Sequence, residues 1–359
     1  MSARAIRNLN LFDGEKLIPD SWVVVDDRLI DFGVGDGWQQ HAETAEDGLG
    51  GFITPKLFDT HVHGGNGFSN DNGLADMLEV IDFHAKNGVG RTFLSLISAP
   101  VQEMVALIHE AQKIDHKNFA GLHLEGPFIA HEYKGAHDPN VLHAPSDSEL
   151  AQIIEASNGL VQSMTVAPEL ISDSQVENLL EAGISLCFGH SAANYVETKA
   201  FFAKGSKVMT HAFNGMAGIH HRAPGPIPAA LEAGAFTEII ADGIHVEAGA
   251  ARLLNQERVI LVTDAMAATG MPDGNYALGS MAVTVTNGVA RTESGSIAGS
   301  TLLLKDAVKT YADWTGSPVA AFRAAITNPA AAYGLEAPTL SNGSKDWLMW
   351  DKVLGARDF

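Results

Sequence analysis

Two patterns of apolar and polar positions divide this chain. Over the first fifty residues the alternation is short-range: Arg4–Asp13 alternates, a turn follows at Gly14, and Ser21–Val25 is rich in β-branched residues. Arg28–Phe32 is a further run, ended by Gly33 and Gly35. Period-two alternation punctuated by glycine predicts strands, and no helical period of useful length occurs before residue 70. From about residue 52 apolar runs alternate with helix-period segments. The runs are Gly51–Thr60, Thr92–Ile97, Ala120–Glu125, Gln162–Ala167, Ile184–Gly189, Lys207–Thr210, Thr237–Ala241 and Val259–Thr263. Amphipathic segments lie between them at Leu74–Asn87, Val101–Lys113, Ser146–Ser157, Ser174–Ala182 and Asn194–Lys204. Strand-like runs alternating with helices predict an α/β fold, a (β/α)8 barrel of the TIM type. The alternative is a doubly wound open sheet. That fold opens with a glycine-rich phosphate turn after its first strand, where His61-Val62-His63 stands instead.

After the eighth run, Asn275–Ala298 returns to strand and turn, with Asn287-Gly288 a hairpin signal. Helical periods follow at Thr301–Trp314 and Pro318–Thr327, and Asp346–Trp350 reads as a last strand. The domain organisation expected is a small β-sandwich domain from both chain ends, residues 1–51 and 336–359, beside a barrel over 52–274. Residues 275–300 either add to the β module or flank the site, and the helices of 301–335 pack on the barrel. No internal repeat or low-complexity tract is present.

Composition narrows the class. With 46% hydrophobic and 18% charged residues among 359, the chain can bury a sizeable core, which excludes whole-chain disorder. Asp and Glu number 43 against 23 Lys and Arg, for a formal charge of −20, opposite to the basic footprint of a nucleic-acid binder. A small anionic ligand stays compatible, because a few local cations dominate one pocket. The single cysteine, Cys187, excludes an internal disulfide and a Cys-rich zinc site; set in an apolar run, it reads as core. No 18-residue apolar stretch occurs and Met1–Gly14 lacks a signal-type apolar core. The expectation is a soluble cytoplasmic protein with no membrane partner. Thirty-six glycines suit many strand-to-loop turns, and fifteen histidines are the first hint of chemistry, neutral imidazole being the commonest metal ligand.

In a barrel, functional groups stand at the C-terminal ends of strands. The first run ends in His61-Val62-His63, whose period of two puts both rings on one face, able to hold a single ion. The third ends in His123-Leu124-Glu125, the fifth in Gly189-His190-Ser191, and the sixth in Thr210-His211. The seventh leads to Asp242 and His245, the eighth to Asp264. A lone histidine there is more often a surface residue, and a lone Asp more often caps the next helix. The coincidence across six of eight runs is what those readings do not explain. His, Glu and Asp are the donors for a divalent metal.

These residues carry a family resemblance. His123-Leu-Glu-Gly-Pro-Phe128, Lys134-Gly-Ala-His137, Gly189-His-Ser191, His211-Ala-Phe-Asn-Gly-Met216, Ala241-Asp-Gly-Ile-His245, Val262-Thr-Asp-Ala265 and Ala298-Gly-Ser-Thr301 resemble the N-acetylglucosamine-6-phosphate deacetylase family. With His-x-His after strand one, they place the resemblance within the amidohydrolase superfamily. It covers most of the chain. It implies hydrolysis of the acetamide of a phosphorylated amino sugar, releasing acetate and glucosamine 6-phosphate. The chemistry needs an activated water, a polarised carbonyl and a proton for the leaving amine, and a divalent metal supplies the first two. Glu125, His190 and His211 are assigned to the principal ion. His61 and His63, sharing Glu125 and Asp264, are assigned to a second.

One or two ions per subunit are expected, zinc first, with Fe, Mn, Co or Ni as alternatives. The fourth run ends in Pro168-Glu169, without the lysine that bridges the metals of many amidohydrolases, so Glu125 is the expected bridge. Asp264 is expected to be the general base and then acid. By resemblance Arg222 and His245 grip the phosphate, with the backbone of Asn214 and Gly215 nearby. Ala136 contributes only its backbone, His137 meets the sugar or the acetyl carbonyl, and Ile297, Ala298 and Gly299 line the sugar pocket. The resemblance also implies a homodimer, with a partner loop near the phosphate. His84, His109 and His116 are expected at the surface, while His123 supports Glu125 from the same strand face. Asp59 either supports a ligand or makes a turn. The galactosamine isomer, a cyclic amide, a deaminase reaction and a non-catalytic metal scaffold are the competing readings.

Overall fold

The computed structural model describes residues 3–357; the outer ends of the expected β module, residues 1–2 and 358–359, lie outside the described residues. Eight parallel strands follow one another around a nearly closed barrel: β1 (Leu57–Val62), β2 (Val89–Ile97), β3 (Phe119–Glu125), β4 (Val161–Val166), β5 (Ser185–Phe188), β6 (Val208–Met209), β7 (Phe236–Ile239) and β8 (Val259–Leu261). Each pairs with its neighbour in sequence, as right-handed β–α crossovers dictate. The seam between β8 and β1 closes through a parallel bridge, Val62 to Ala265. Buried Asp59 secures it, accepting from Thr263 Oγ1 at 2.7 Å. Burial pushes the Asp59 carboxyl up to about 7. The sequence leaves Asp59 to support a ligand or make a turn; its Oδ1 accepts from the His61 N–H at 3.3 Å, and it closes the seam as well.

The outer helices begin where the sequence supplies caps. Ser146 with Glu149, Ser172 with Gln175 and Asn194 with Glu197 form capping boxes at the starts of Asp147–Ser157, Asp173–Glu181 and Tyr195–Ala203. A helix at Pro226–Ala233, between β6 and β7, has no counterpart in the periodic reading.

The strands Arg4–Phe12, Leu17–Val25, Leu29–Val34, Ala45–Pro55, Trp347–Trp350 and Ala356–Arg357 form one six-stranded sheet, so the β module does draw on both chain ends. The apolar run Gly51–Thr60 is divided: residues up to Pro55 pair with Trp347 in the module, and the barrel starts at Leu57. Phe52–Pro55 and Leu57–Val62 are buried on both sides, so the single Lys56 between them does not break the apolar run. Phe322, on helix Pro318–Ala325, ties module to barrel, its ring 5.6 Å from each of Phe12, Phe52 and Trp350. Residues 274–292 make a separate three-stranded antiparallel sheet. Its inner face, Leu278, Val283, Val285 and Ala290, packs with Ile97, Ala136, Met266 and Ala298 beside the barrel mouth. Among the described residues no helix is long and apolar enough to cross a membrane.

Candidate active site

Residues from four strand ends converge on Glu125, which ends β3. His61 and His63, two positions apart at the end of β1, bring their Nε2 atoms to 3.1 Å of each other. His190 and His211, from the ends of β5 and β6, do the same at 3.1 Å. Glu125 stands between the pairs and offers one oxygen to each. Its Oε1 lies 3.2 Å from His190 Nε2 and 2.9 Å from His211 Nε2. Its Oε2 lies 3.0 Å from His63 Nε2 and 3.6 Å from His61 Nε2. Asp264 Oδ1 faces the first pair at 3.6 and 3.5 Å. All six side chains are buried or nearly so.

The backbone is strained at three of them. His190, His211 and Asp264 have φ of 47°, 23° and 50°, a region that costs a non-glycine residue about 1–3 kcal/mol and persists only where surroundings enforce it. Those surroundings are visible: Ser191 N–H donates to Gly215 O, Asp264 N–H to His61 O, and Ser300 N–H to Asp264 O. Glu169, the residue ending the lysine-free fourth run, accepts from Ser191 Oγ and Ala192 N–H at 2.6 Å each and pins the turn behind His190.

Electrostatics follow from burial. Burial disfavours the Glu125 carboxylate, yet the charge of His61 and hydrogen bonds from His137 and His190 outweigh it and hold the group well below the usual carboxylate range. Burial likewise opposes a charged His61, but Glu125 and Asp264 raise it well above an ordinary imidazole. His123 is held well below by burial and by His61, so it is neutral; its Nδ1 meets Ser95 Oγ at 2.9 Å and its Nε2 meets Thr165 Oγ1 at 2.8 Å. Burial puts His137 at about 4, with Nδ1 2.8 Å from Ser98 Oγ and Nε2 3.3 Å from Glu125 Oε2.

Such a set fits a divalent cation. Two imidazole nitrogens that face each other and one carboxylate oxygen cannot all be satisfied by shared protons, whereas lone pairs converging on a cation can. Donor atoms of His61, His63 and Asp264 lie within 4.8 Å of one another, as do those of Glu125, His137 and His190.

A cavity of about 240 Å³ opens above these groups. Ala136, His137, Asn214, Gly215, His245, Ile297 and Gly299 line it together with His63, Glu125, His190, His211 and Asp264. His61 lies beneath, fully buried. His245 Nδ1 is held at 2.7 Å by Asp242 Oδ2. Two expected pocket residues stand elsewhere. The Ala298 side chain is buried in the core of the 274–292 sheet. Arg222 is exposed on its loop, with Nη1 donating to His221 Nε2, and does not line the cavity of its own chain. Nor is His84 a surface residue: it is fully buried, its Nε2 3.0 Å from Gly64 O.

The amidohydrolase family model matches residues 52–350. The chain belongs to the amidohydrolase family. This amidohydrolase is 37% identical over 296 residues to an N-acetylgalactosamine-6-phosphate deacetylase of Escherichia coli O157:H7, covering 79% of this chain and 78% of that one. It is 35% identical over 349 residues to an N-acetylglucosamine-6-phosphate deacetylase of Vibrio furnissii, covering 93% and 87%. Among solved structures, a mutant N-acetyl-D-glucosamine-6-phosphate deacetylase of Mycobacterium smegmatis in complex with N-acetyl-D-glucosamine-6-phosphate superposes with a TM-score of 0.90. It is 30% identical, covering 99% of this chain and 97% of that one.

Glu238 and Ser98 are site residues that the reading of the sequence does not single out. Glu238 carried a signal, a lone acid inside the apolar run Thr237–Ala241. Ser98 carried none, since a serine after a strand is ordinary loop chemistry.

Proposed function

We propose that this protein hydrolyses the acetamide of N-acetyl-D-glucosamine 6-phosphate to D-glucosamine 6-phosphate and acetate. The observation that carries the reading is Glu125 between two histidine pairs, with Asp264 opposite, under a pocket that also contains His245. A divalent ion bound by these residues supplies an activated water and polarises the amide carbonyl. Glu125, His190 and His211 hold the principal ion; His61 and His63, with the second oxygen of Glu125 and with Asp264, hold another. Zinc suits imidazole and carboxylate donors, and Fe, Mn, Co or Ni accept the same set.

Asp264 takes a proton from the attacking water at Oδ1 and gives it to the leaving amine nitrogen. His137, neutral and braced by Ser98, faces the sugar or the acetyl carbonyl. His245, oriented by Asp242, meets the phosphate with the backbone N–H groups of Asn214 and Gly215, and Ile297 and Gly299 wall the sugar, with buried Ala298 shaping that wall from behind. Arg222 is exposed and outside its own cavity, which suits a homodimer in which its loop serves the neighbouring copy. The strands between residues 4 and 55 and between 347 and 357 act as the supporting β module, and residues 275–300 flank the site. A cytoplasmic location suits a phosphorylated sugar substrate.

The test is acetate release from N-acetylglucosamine 6-phosphate beside the unphosphorylated sugar. A strong preference for the phosphorylated form is expected; equal rates would remove His245 and Arg222 from phosphate recognition. A second reading is the galacto epimer, favoured by the 37% identity to the Escherichia coli relative. The same assay run with both phosphorylated epimers separates the two.

A further inference from the structure

Beneath the histidine pair of β1 lies a carboxylate that no step above uses. Glu238, on β7, is 2% exposed and points into the barrel. Its Oε1 accepts from Thr60 Oγ1 at 3.0 Å and from Tyr333 OH at 3.3 Å. Its Oε2 lies 3.4 Å from His61 Nδ1. A carboxylate in a barrel interior is costly unless a cation compensates it. Among the described residues the only basic side chain paired with Glu238 is that imidazole.

The contact fixes which nitrogen of His61 is free. A carboxylate only accepts, so His61 keeps a proton on Nδ1, and Nε2, which faces His63, Glu125 and Asp264, is the nitrogen left to ligate an ion. The other three rings are held differently. His190 donates Nδ1–H to the neutral carbonyl of Tyr133 at 2.6 Å, and the Nδ1 atoms of His63 and His211 have no partner among the described residues. Of the four rings, only His61 has a carboxylate oxygen against its Nδ1, the support that orients a ligating imidazole and strengthens it as a donor.

We propose that Glu238 is a positioning residue that makes His61 a ligand and so decides whether the chain holds one ion or two. The inference rests on the two-ion reading above. Replacing Glu238 by Gln keeps the shape but offers one acceptor and one donor. With the amide oxygen on Thr60 and Tyr333, its NH2 faces His61 Nδ1, and the ring must move its proton to Nε2, where it no longer ligates. With the amide reversed, a neutral oxygen replaces a charged one. In either case the ion at His61 and His63 is weakened while that at His190 and His211 is not.

The experiment is equilibrium dialysis against zinc with elemental analysis, followed by competition with a chromophoric chelator. Wild type is expected to hold two ions. Glu238→Gln is expected to keep one at unchanged affinity and to bind the other on the order of 10–100-fold more weakly, the usual effect of losing such a support. Two ions at wild-type affinity in Glu238→Gln would overturn the role of Glu238 and leave the two-ion reading standing. A wild type that takes one ion at saturating zinc would overturn both.

Tyr333→Phe separates positioning from packing, because it strips a donor from Oε1 and leaves Oε2 on His61. It is expected to keep both ions, and equal weakening in Tyr333→Phe would mean that packing alone matters. Should Glu238→Gln not fold, 15N spectra of the zinc-loaded wild type decide. A proton on His61 Nδ1 with metal on Nε2 is expected, and the reverse arrangement overturns the proposal.

Discussion

Gly215 leaves no space for a β-carbon: one built there would stand 2.8 Å from His190 Nδ1, on a backbone with φ of 61°. Gly215→Ala therefore pushes the His190 ring off Tyr133 O and is expected to lower metal affinity on the order of 10–100-fold, read by chelator competition rather than turnover. Asp264 makes a different prediction. Asp264→Asn removes the proton acceptor at Oδ1 but keeps the shape, so turnover should vanish while substrate still binds; calorimetric titration beside the acetate assay checks both. A mere helix cap would show only a stability loss of about 0.5–2 kcal/mol. His84 is a matter of stability. Burial lowers it to about 4 from an ordinary 6.5, so the folded state resists its protonation. Its contribution is fully present above about pH 6.5 and is lost as pH falls to about 4, amounting to about 3 kcal/mol. Denaturant midpoints measured between pH 7 and 4 should fall less steeply in His84→Gln than in wild type; parallel curves would refute the assignment.

At the scale of elements, the helix carrying Phe322 holds the β module to the barrel. Its ring is fully buried against three aromatic side chains. Phe322→Ala should cost about 3–5 kcal/mol, measured by chemical denaturation. The 274–292 sheet has another role. It sets Leu278 against the cavity, and the segment after it buttresses Asp264, because Gly299 lies where a β-carbon would come within 2.9 Å of Asp264 O. Strand and helix identities were legible where the apolar period was clear, and the helices there start at the caps Ser146, Ser172 and Asn194. The passage from module to barrel at Lys56 was not, because two consecutive buried strands read as one apolar run. The Pro226–Ala233 helix was missed for a similar reason, being short, rich in alanine and proline, and largely buried.

For the molecule as a whole, the balance of −20 is offset locally, with acids facing histidines at the barrel mouth. Chelation should therefore lower the melting temperature as well as abolish turnover, and zinc at 100 times its Kd should restore about 2.7 kcal/mol, seen in thermal unfolding with and without added metal. Unchanged melting on chelation would contradict a metal held by these buried groups. The barrel, the split β module and the gathering of His61, His63, Glu125, His190, His211 and Asp264 at one mouth were readable from the residues alone. Periodicity and strand parity are local, and a barrel turns the end of each strand toward one mouth. Which oxygen of Glu125 faces which histidine pair, and where Arg222 and Ala298 lie, came from the folded chain. It alone placed His84 in the core and Glu238 behind His61. Those are contacts between atoms far apart in the chain, set by how the strands close, and no local pattern encodes them.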